Sequence, residues 1–181
     1  MVPVVAGIAV LAIVCGYLIY DVNTRFPDVT VIEQYTKDNP TVENGLQITP
    51  LDYAVYTYDE YHAAFPDNTW YDYLTDDKHD KEKWRILVFY LRYENLSEQA
   101  LVYKADYYQL TGEKSGLSNG VLCDNRPSRN TIEPGEVQEV QLSTAAGAGI
   151  QIRKEWLNKL DTDRFALVYW RYPVTKELVF E

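Results

Sequence analysis

One cysteine, Cys123, lies in the charged part of the chain, with His62 and His79 before it and Arg126 and Arg129 just after it. A thiolate nucleophile, an imidazole to take its proton and a guanidinium at the oxyanion are the parts of a cysteine acyl-transfer enzyme. Against that chemistry, Asp124 directly follows Cys123, and a neighbouring carboxylate opposes thiolate formation. Both histidines fall in or beside a polar stretch with no sign of a fixed geometry. The residues therefore read as a free, half-buried thiol, with an enzyme using Cys123 as the alternative.

A second group could hold a hard cation. Asp72, Asp76, Asp77, Asp80 and Glu82 crowd one loop, but Lys78, Lys81 and Lys83 are interleaved, and the calcium-loop spacing with its central glycine is absent. Local charge pairing on a solvated loop accounts for them, so no metal and no cofactor is expected. A third group is aromatic. Tyr53, Tyr56, Tyr58, Tyr61, Phe65, Trp70, Tyr71 and Tyr73 bracket acidic side chains over residues 53–73. Rings beside carboxylates suit recognition of a protein or a glycan, because they give contact area at low entropic cost. Tyr56, Tyr58, Tyr61, Trp70, Tyr71 and Tyr73 are the candidate binding residues, and packing on a sheet face is the competing use of the same rings. Asn95-Leu96-Ser97 matches the glycosylation acceptor pattern, a short motif that recurs by chance.

These groups need a scaffold. The chain has 181 residues, with 17 Lys+Arg against 27 Asp+Glu and a formal charge of −10. Such a balance argues against nucleic acid and against anionic lipid headgroups as partners. Two cysteines cannot make a disulfide framework. Residues 1–20 contain no charged side chain, so the whole charge falls on the remainder.

Residues 2–20 (VPVVAGIAVLAIVCGYLIY) are apolar or small throughout. At 1.5 Å per residue they span ~28 Å, close to the hydrocarbon thickness of a bilayer. Pro3 falls in the first turn, Tyr17 and Tyr20 suit an interfacial belt, and Asp21, Asn23 and Arg25 end the run. The run is longer than the apolar region of a signal peptide, has no Ala-x-Ala at its end, and Val14 before Cys15 fits lipidation poorly. The expectation is an uncleaved single-pass anchor over residues 1–21, a tether over 22–28 and one folded domain over 29–181. The flanking charge bias is one residue, too small to retain a long domain, which places that domain on the extracellular side.

Strand signals dominate the domain. Residues 29–35, 45–58, 101–110, 137–142, 165–172 and 174–180 are β-branched, aromatic or alternating, and 120–123 could add a short strand. Pro50 belongs at an edge or bend. In residues 84–93 (WRILVFYLRY), Ile86, Val88 and Tyr90 alternate with Leu87, Phe89 and Leu91, so both faces are apolar and the strand is central and covered twice. Residues 59–83 form a polar, aromatic insertion that could cover a sheet edge, residues 145–149 (AAGAG) read as a flexible joint, and 153–160 is the one short helix expected. About seven or eight short strands make the chain mainly β, an antiparallel sandwich or barrel.

Three pieces carry a resemblance. The apolar strand 88–93 runs into Glu94-Asn95; Ile132-Glu133-Pro134-Gly135-Glu136 leads into the alternating strand 137–142; and a hydrophobic strand lies near the C-terminus. Asn95 suits a left-handed turn position, and Pro134-Gly135 presets a bend. In this order they resemble the Ig-like extracellular domains of unknown function in membrane-anchored proteins and lipoproteins of Gram-positive bacteria. The resemblance implies a single antiparallel Ig-like β-sandwich and a cell-surface address, and it carries no activity to transfer. A layout of anchor, β domain, His, Cys and Arg is also similar to a sortase, but residues 121–124 (VLCD) lack the Thr-Leu-x-Thr-Cys signature. The reading is a non-catalytic, membrane-anchored extracellular binding domain. A cysteine enzyme and an accessory subunit of a membrane complex stand as alternatives.

Overall fold

A computed structural model describes residues 13–21, 31–75, 80–105, 107–170 and 174–180. Of the expected anchor, residues 1–12 lie outside the described residues, as does all of the tether. Residues 13–21 form helix α1, whose apolar side chains are exposed. Among the described residues no helix is long and apolar enough to cross a membrane.

The rest is mainly β. Twelve strands are present among the described residues: β1 (Val31–Tyr35), β2 (Thr41–Glu43), β3 (Leu46–Tyr56), β4 (Trp84–Asn95), β5 (Leu101–Lys104), β6 (Gln109–Gly112), β7 (Ser118–Gly120), β8 (Leu122–Cys123), β9 (Arg129–Ile132), β10 (Val137–Gly147), β11 (Phe165–Trp170) and β12 (Val174–Phe180). One sheet has the order β1-β12-β11-β6-β7, the other β2-β3-β4-β10-β8, and β5 pairs with β9. Neighbours are antiparallel, except that β1 runs parallel to β12. The inner faces of the two sheets close on one apolar core. Leu87, Phe89 and Leu91 of β4 and Leu142 of β10 meet Leu110, Phe165, Leu167, Leu178 and Phe180 of the opposite sheet. At its centre the Phe89 ring packs edge-on to Phe165 and Phe180, at 5.6 and 5.0 Å between centroids.

Strand β4 behaves as its sequence predicts. Its other face (Trp84, Ile86, Val88) is also buried, in a second cluster with Ala145 of β10 and with Tyr61, Tyr71 and Leu74 of the insertion. The insertion therefore covers a sheet face, not an edge. It contains a helix the strand-dominated reading missed, α2 (Tyr58–Ala64), and single 3-10 turns at Asp72–Thr75 and Lys81–Lys83.

Several expectations are corrected. Residues 145–149 are no flexible joint, since Ala145, Ala146 and Gly147 end β10 and pair with β4. Their smallness has a packing cause: a Cβ on Gly147 would fall 2.8 Å from the Trp84 indole. Residues 153–160 form no continuous helix, only 3-10 turns at Lys154–Trp156 and Leu160–Thr162 that drop Leu160 into the main core. Residues 101–110 divide between β5 and β6, and residues 118–123 between β7 and β8, each pair feeding two different sheets.

Asn95 has a different task from the one expected. Among the described residues the non-glycine one with positive φ is Asn44, at 52°, which with Gly45 at 87° makes the two-residue hairpin loop between β2 and β3. Asn95 is fully buried. Its Nδ2 donates to the Gln99 and Ile132 carbonyls (2.7 and 2.9 Å), and its Oδ1 accepts from the Ser97 amide and hydroxyl (2.9 and 2.7 Å). With Nδ2 committed inside the fold, Asn95 cannot carry a glycan in this structure. Its backbone carbonyl also accepts from Gly135, the φ +73° residue of the Pro134-Gly135 turn, which bends as expected.

Gly147→Ala should destabilise the domain by roughly 1–3 kcal/mol, because Trp84 is packed in the second core and has little room to retreat. A urea titration followed by tryptophan fluorescence measures this. An unchanged midpoint would mean that the indole does not lie over Gly147.

Candidate functional site

The site begins with Thr57. Its hydroxyl accepts from the Glu60 amide (3.3 Å) while the Glu60 carboxylate accepts from the Thr57 amide (2.8 Å), a reciprocal cap that starts α2. These hydrogen bonds hold the Glu60 carboxyl below its usual range. One turn later Tyr61 points into the sheet, fully buried, and the Phe65 amide closes the helix on the Tyr61 carbonyl (2.8 Å). The chain then folds back. The Asn68 amide donates to the Phe65 carbonyl, the Trp70 amide donates to Asn68 Oδ1 (3.0 Å), and the Asp72 amide donates to the Thr69 carbonyl. This pinned loop sends Tyr71 inward and leaves Trp70 outside.

Beneath these rings lies Asp124, directly after β8. The Tyr61 hydroxyl donates to its Oδ2 (2.9 Å), and the Ser143 hydroxyl donates to its Oδ1 (2.7 Å). The Tyr71 and Ser143 hydroxyls are themselves 2.8 Å apart, and Gln141 Nε2 approaches Asp124 Oδ2 at 3.5 Å. Burial pushes the Asp124 carboxyl up, and the hydrogen bonds from Ser143, Tyr61, Asn68 and Gln141 oppose that shift without cancelling it. Burial likewise pushes the Tyr61 and Tyr71 phenols well above their ordinary range. Both phenols stay protonated, so Tyr61 remains a donor to the carboxylate.

The loop and the end of β8 enclose a cleft of about 540 Å³, walled by Phe65, Asn68, Trp70, Asp124, Asn125 and Gln141. Its back is fixed by the backbone: the Asp124 amide donates to the Gln141 carbonyl (2.9 Å), and the Gln141 amide donates to Asn125 Oδ1 (2.9 Å).

The candidate rings separate into two sets. Tyr61 and Tyr71 are 0% and 3% exposed and form the second core. Tyr56 and Tyr58 are half-buried; Tyr56 packs edge-on to Tyr61 and Phe65, and Tyr58 lies against His62 at 4.8 Å. Trp70 is 56% exposed and Tyr73 47%, and of these two Trp70 lines the cleft. Rings alone do not make the site. Its polar wall comes from Asn125 and Gln141, which sequence reasoning passed over, and from Asp124, which the sequence marked only as the neighbour of Cys123. Gln141 occupies an outward position in an alternating strand, and such positions read as solvent-facing until a cover is known.

Cys123 packs against the core between the sheets, whereas His62 belongs to the insertion on the opposite face of that sheet, with Nε2 2.8 Å from Asp72 Oδ1. His79, Asp76 and Asp77 lie outside the described residues. Asp80 accepts from the Glu82 amide and pairs with Lys83 at 3.0 Å, which holds its carboxyl low. Among the described residues no group of three His, Cys, Asp or Glu side chains could hold a metal ion.

No family model and no curated protein matches the sequence. The chain is similar in structure to uncharacterised β-sandwich proteins of Gram-positive bacteria. One, an uncharacterised β-sandwich protein from Clostridium difficile 630, is 8% identical with a TM-score of 0.47, over 85% of this chain and 97% of that one. A functionally unknown protein from Listeria monocytogenes EGD-e is 15% identical with a TM-score of 0.46, over 74% and 71%. A conserved hypothetical protein from Bacillus anthracis is 13% identical with a TM-score of 0.39, over 80% and 94%.

The raised Asp124 carboxyl has a signed consequence. A folded-state value above the unfolded one contributes stability that is fully present below the unfolded value, about pH 4, and is lost as pH rises through the folded value. The stability difference between the wild type and Asp124→Asn should therefore shift against the wild type over the range from about pH 4 upward. Chemical denaturation across that range measures it, and a difference independent of pH would show that the carboxyl is not desolvated.

Proposed function

We propose that the chain is a non-catalytic binding domain of Ig-like topology, held at the outer face of a membrane by residues 2–20, with the Trp70 cleft as its recognition surface. The observation that carries this reading is the cleft itself: an exposed indole on a loop pinned by its own hydrogen bonds, beside a wall of amides and a satisfied carboxylate. Its volume falls in the ~300–1,000 Å³ range of ligand sites.

The strand order supports the Ig-like assignment. The run β3-β4-β10-β8 corresponds to strands A, B, E and D of an immunoglobulin domain, and β12-β11-β6-β7 to G, F, C and C′, with the same antiparallel directions. A binding role is also favoured by the position of the thiol. A nucleophile and its base must lie within hydrogen-bond reach. His62 belongs to α2, which packs on the sheet face opposite to Cys123, while His79 lies outside the described residues. The anchor rests on the uncharged run of residues 2–20, and the outward orientation on the small flanking charge bias.

Membrane-impermeant lysine labelling of intact cells expressing the full chain tests display. The domain should be labelled before lysis, and should leave the membrane fraction when residues 2–20 are deleted. Labelling only after lysis, or membrane retention of the deleted form, would contradict the reading.

A further inference from the structure

We propose that the cleft binds a neutral saccharide, one sugar ring stacking on Trp70 while its hydroxyls meet the amide wall. This rests on the cleft being the recognition surface. Among the described residues that line it, the charged side chains are Asp67 and Asp124, with no Lys, Arg or His. An anionic ligand such as a phosphate or a uronic acid polymer would meet uncompensated like charge. A cationic group would be attracted by the same two charges. Asp124, however, is half-buried and both its oxygens already accept hydrogen bonds, from Tyr61 and Ser143, so an ammonium group there would compete with those donors.

What the cleft does present is amide and hydroxyl chemistry next to an open aromatic face. Gln141 is 8% exposed and lines the cleft, yet its Oε1 accepts no hydrogen bond within the described residues. No side-chain atom there is both fully buried and unsatisfied, so this oxygen opens to the cleft. Asn125 and Asn68 flank it, and Thr69 adds a hydroxyl. Sugar hydroxyls both donate and accept, and Gln141 Oε1 is open to a donor. Asn125 already bonds within the fold through Oδ1 and Nδ2 and Asn68 through Oδ1, which holds those amides in place at the wall. The apolar C–H face of a pyranose needs a flat ring, and the Trp70 indole is large, rigid and exposed. The loop under Trp70 is pre-ordered, which limits the entropy lost on binding.

The test uses the full chain in a polyoxyethylene detergent, since a glycosidic detergent would compete. Cellohexaose, chitohexaose and maltohexaose are titrated by calorimetry and tryptophan fluorescence, with oligogalacturonate and oligolysine as charged probes. At least one neutral saccharide should bind and lose at least about tenfold in affinity in Trp70→Ala, with most of it retained in Trp70→Phe and no change in melting temperature. Absence of binding by all three, or equal binding to Trp70→Ala, overturns the proposal. Trp70-dependent binding of oligolysine overturns the saccharide and keeps the cleft as a binding surface. Surface display is scored on intact cells without any sugar, so failure there and failure here are separate results.

Discussion

A carboxylate taken partly out of water must be met by donors, and half-buried Asp124 is met by donors from distant parts of the chain. Tyr61 reaches it from α2, Ser143 and Gln141 from β10, and Tyr71 is tied in through the Ser143 hydroxyl. Charged hydrogen bonds of this kind contribute about 1.5–3 kcal/mol each, against a desolvation penalty of similar size. The net stabilisation is therefore small, while the specificity of placement is large. An insertion docked only through apolar rings could slide on the flat outer face of β4 and β10. The Asp124 network admits one position, and that position sets where Phe65 turns, where the loop folds back and where Trp70 emerges.

The same logic recurs at two other polar groups. Asn95 ties the end of β4 to the carbonyls of Gln99 and Ile132 and to the Pro134-Gly135 turn. Asp163, also buried, accepts from the Lys114, Ser115 and Arg164 amides and fixes the turn after β6 against the start of β11. A Cβ on Gly112 would collide with that turn, 2.4 Å from Ser115 Oγ. Apolar burial holds the sheets together, and these buried polar residues decide which loop goes where.

Much of the scaffold is readable in the residues, and the reasons are local. The doubly apolar β4 announces two covers, and the structure supplies one in the opposite sheet and one in the insertion. Pro50 sits at a register shift of β3 beyond the reach of β2. Other signals were present but carried by short motifs: Asn44-Gly45 marks the β2–β3 hairpin, and Thr57-x-x-Glu60 marks the start of α2. The breaks between β5 and β6 and between β7 and β8 are of another kind. Strand propensity continues through both, and only the closing of two sheets separates them. Residues 145–149 misled for the same reason, because glycine and alanine look flexible until the Trp84 ring lies over them. At the site, Trp70 was visible as an aromatic, whereas Asp124 and Gln141 gain meaning only once an insertion distant in sequence covers their strand face.

The resulting picture is a division of labour within one run of rings. Tyr61 and Tyr71 are spent inside, building a second core, so that Trp70 can be offered outside on a rigid loop. This depends on the insertion being a permanent layer of the fold. Amide hydrogen exchange on residues 57–75 tests it most directly. The account predicts that the Tyr61 and Phe65 amides, which close α2 on Thr57 and Tyr61, are protected to a degree approaching that of β4. Exchange of those amides at unfolded-chain rates while β4 stays protected would contradict it.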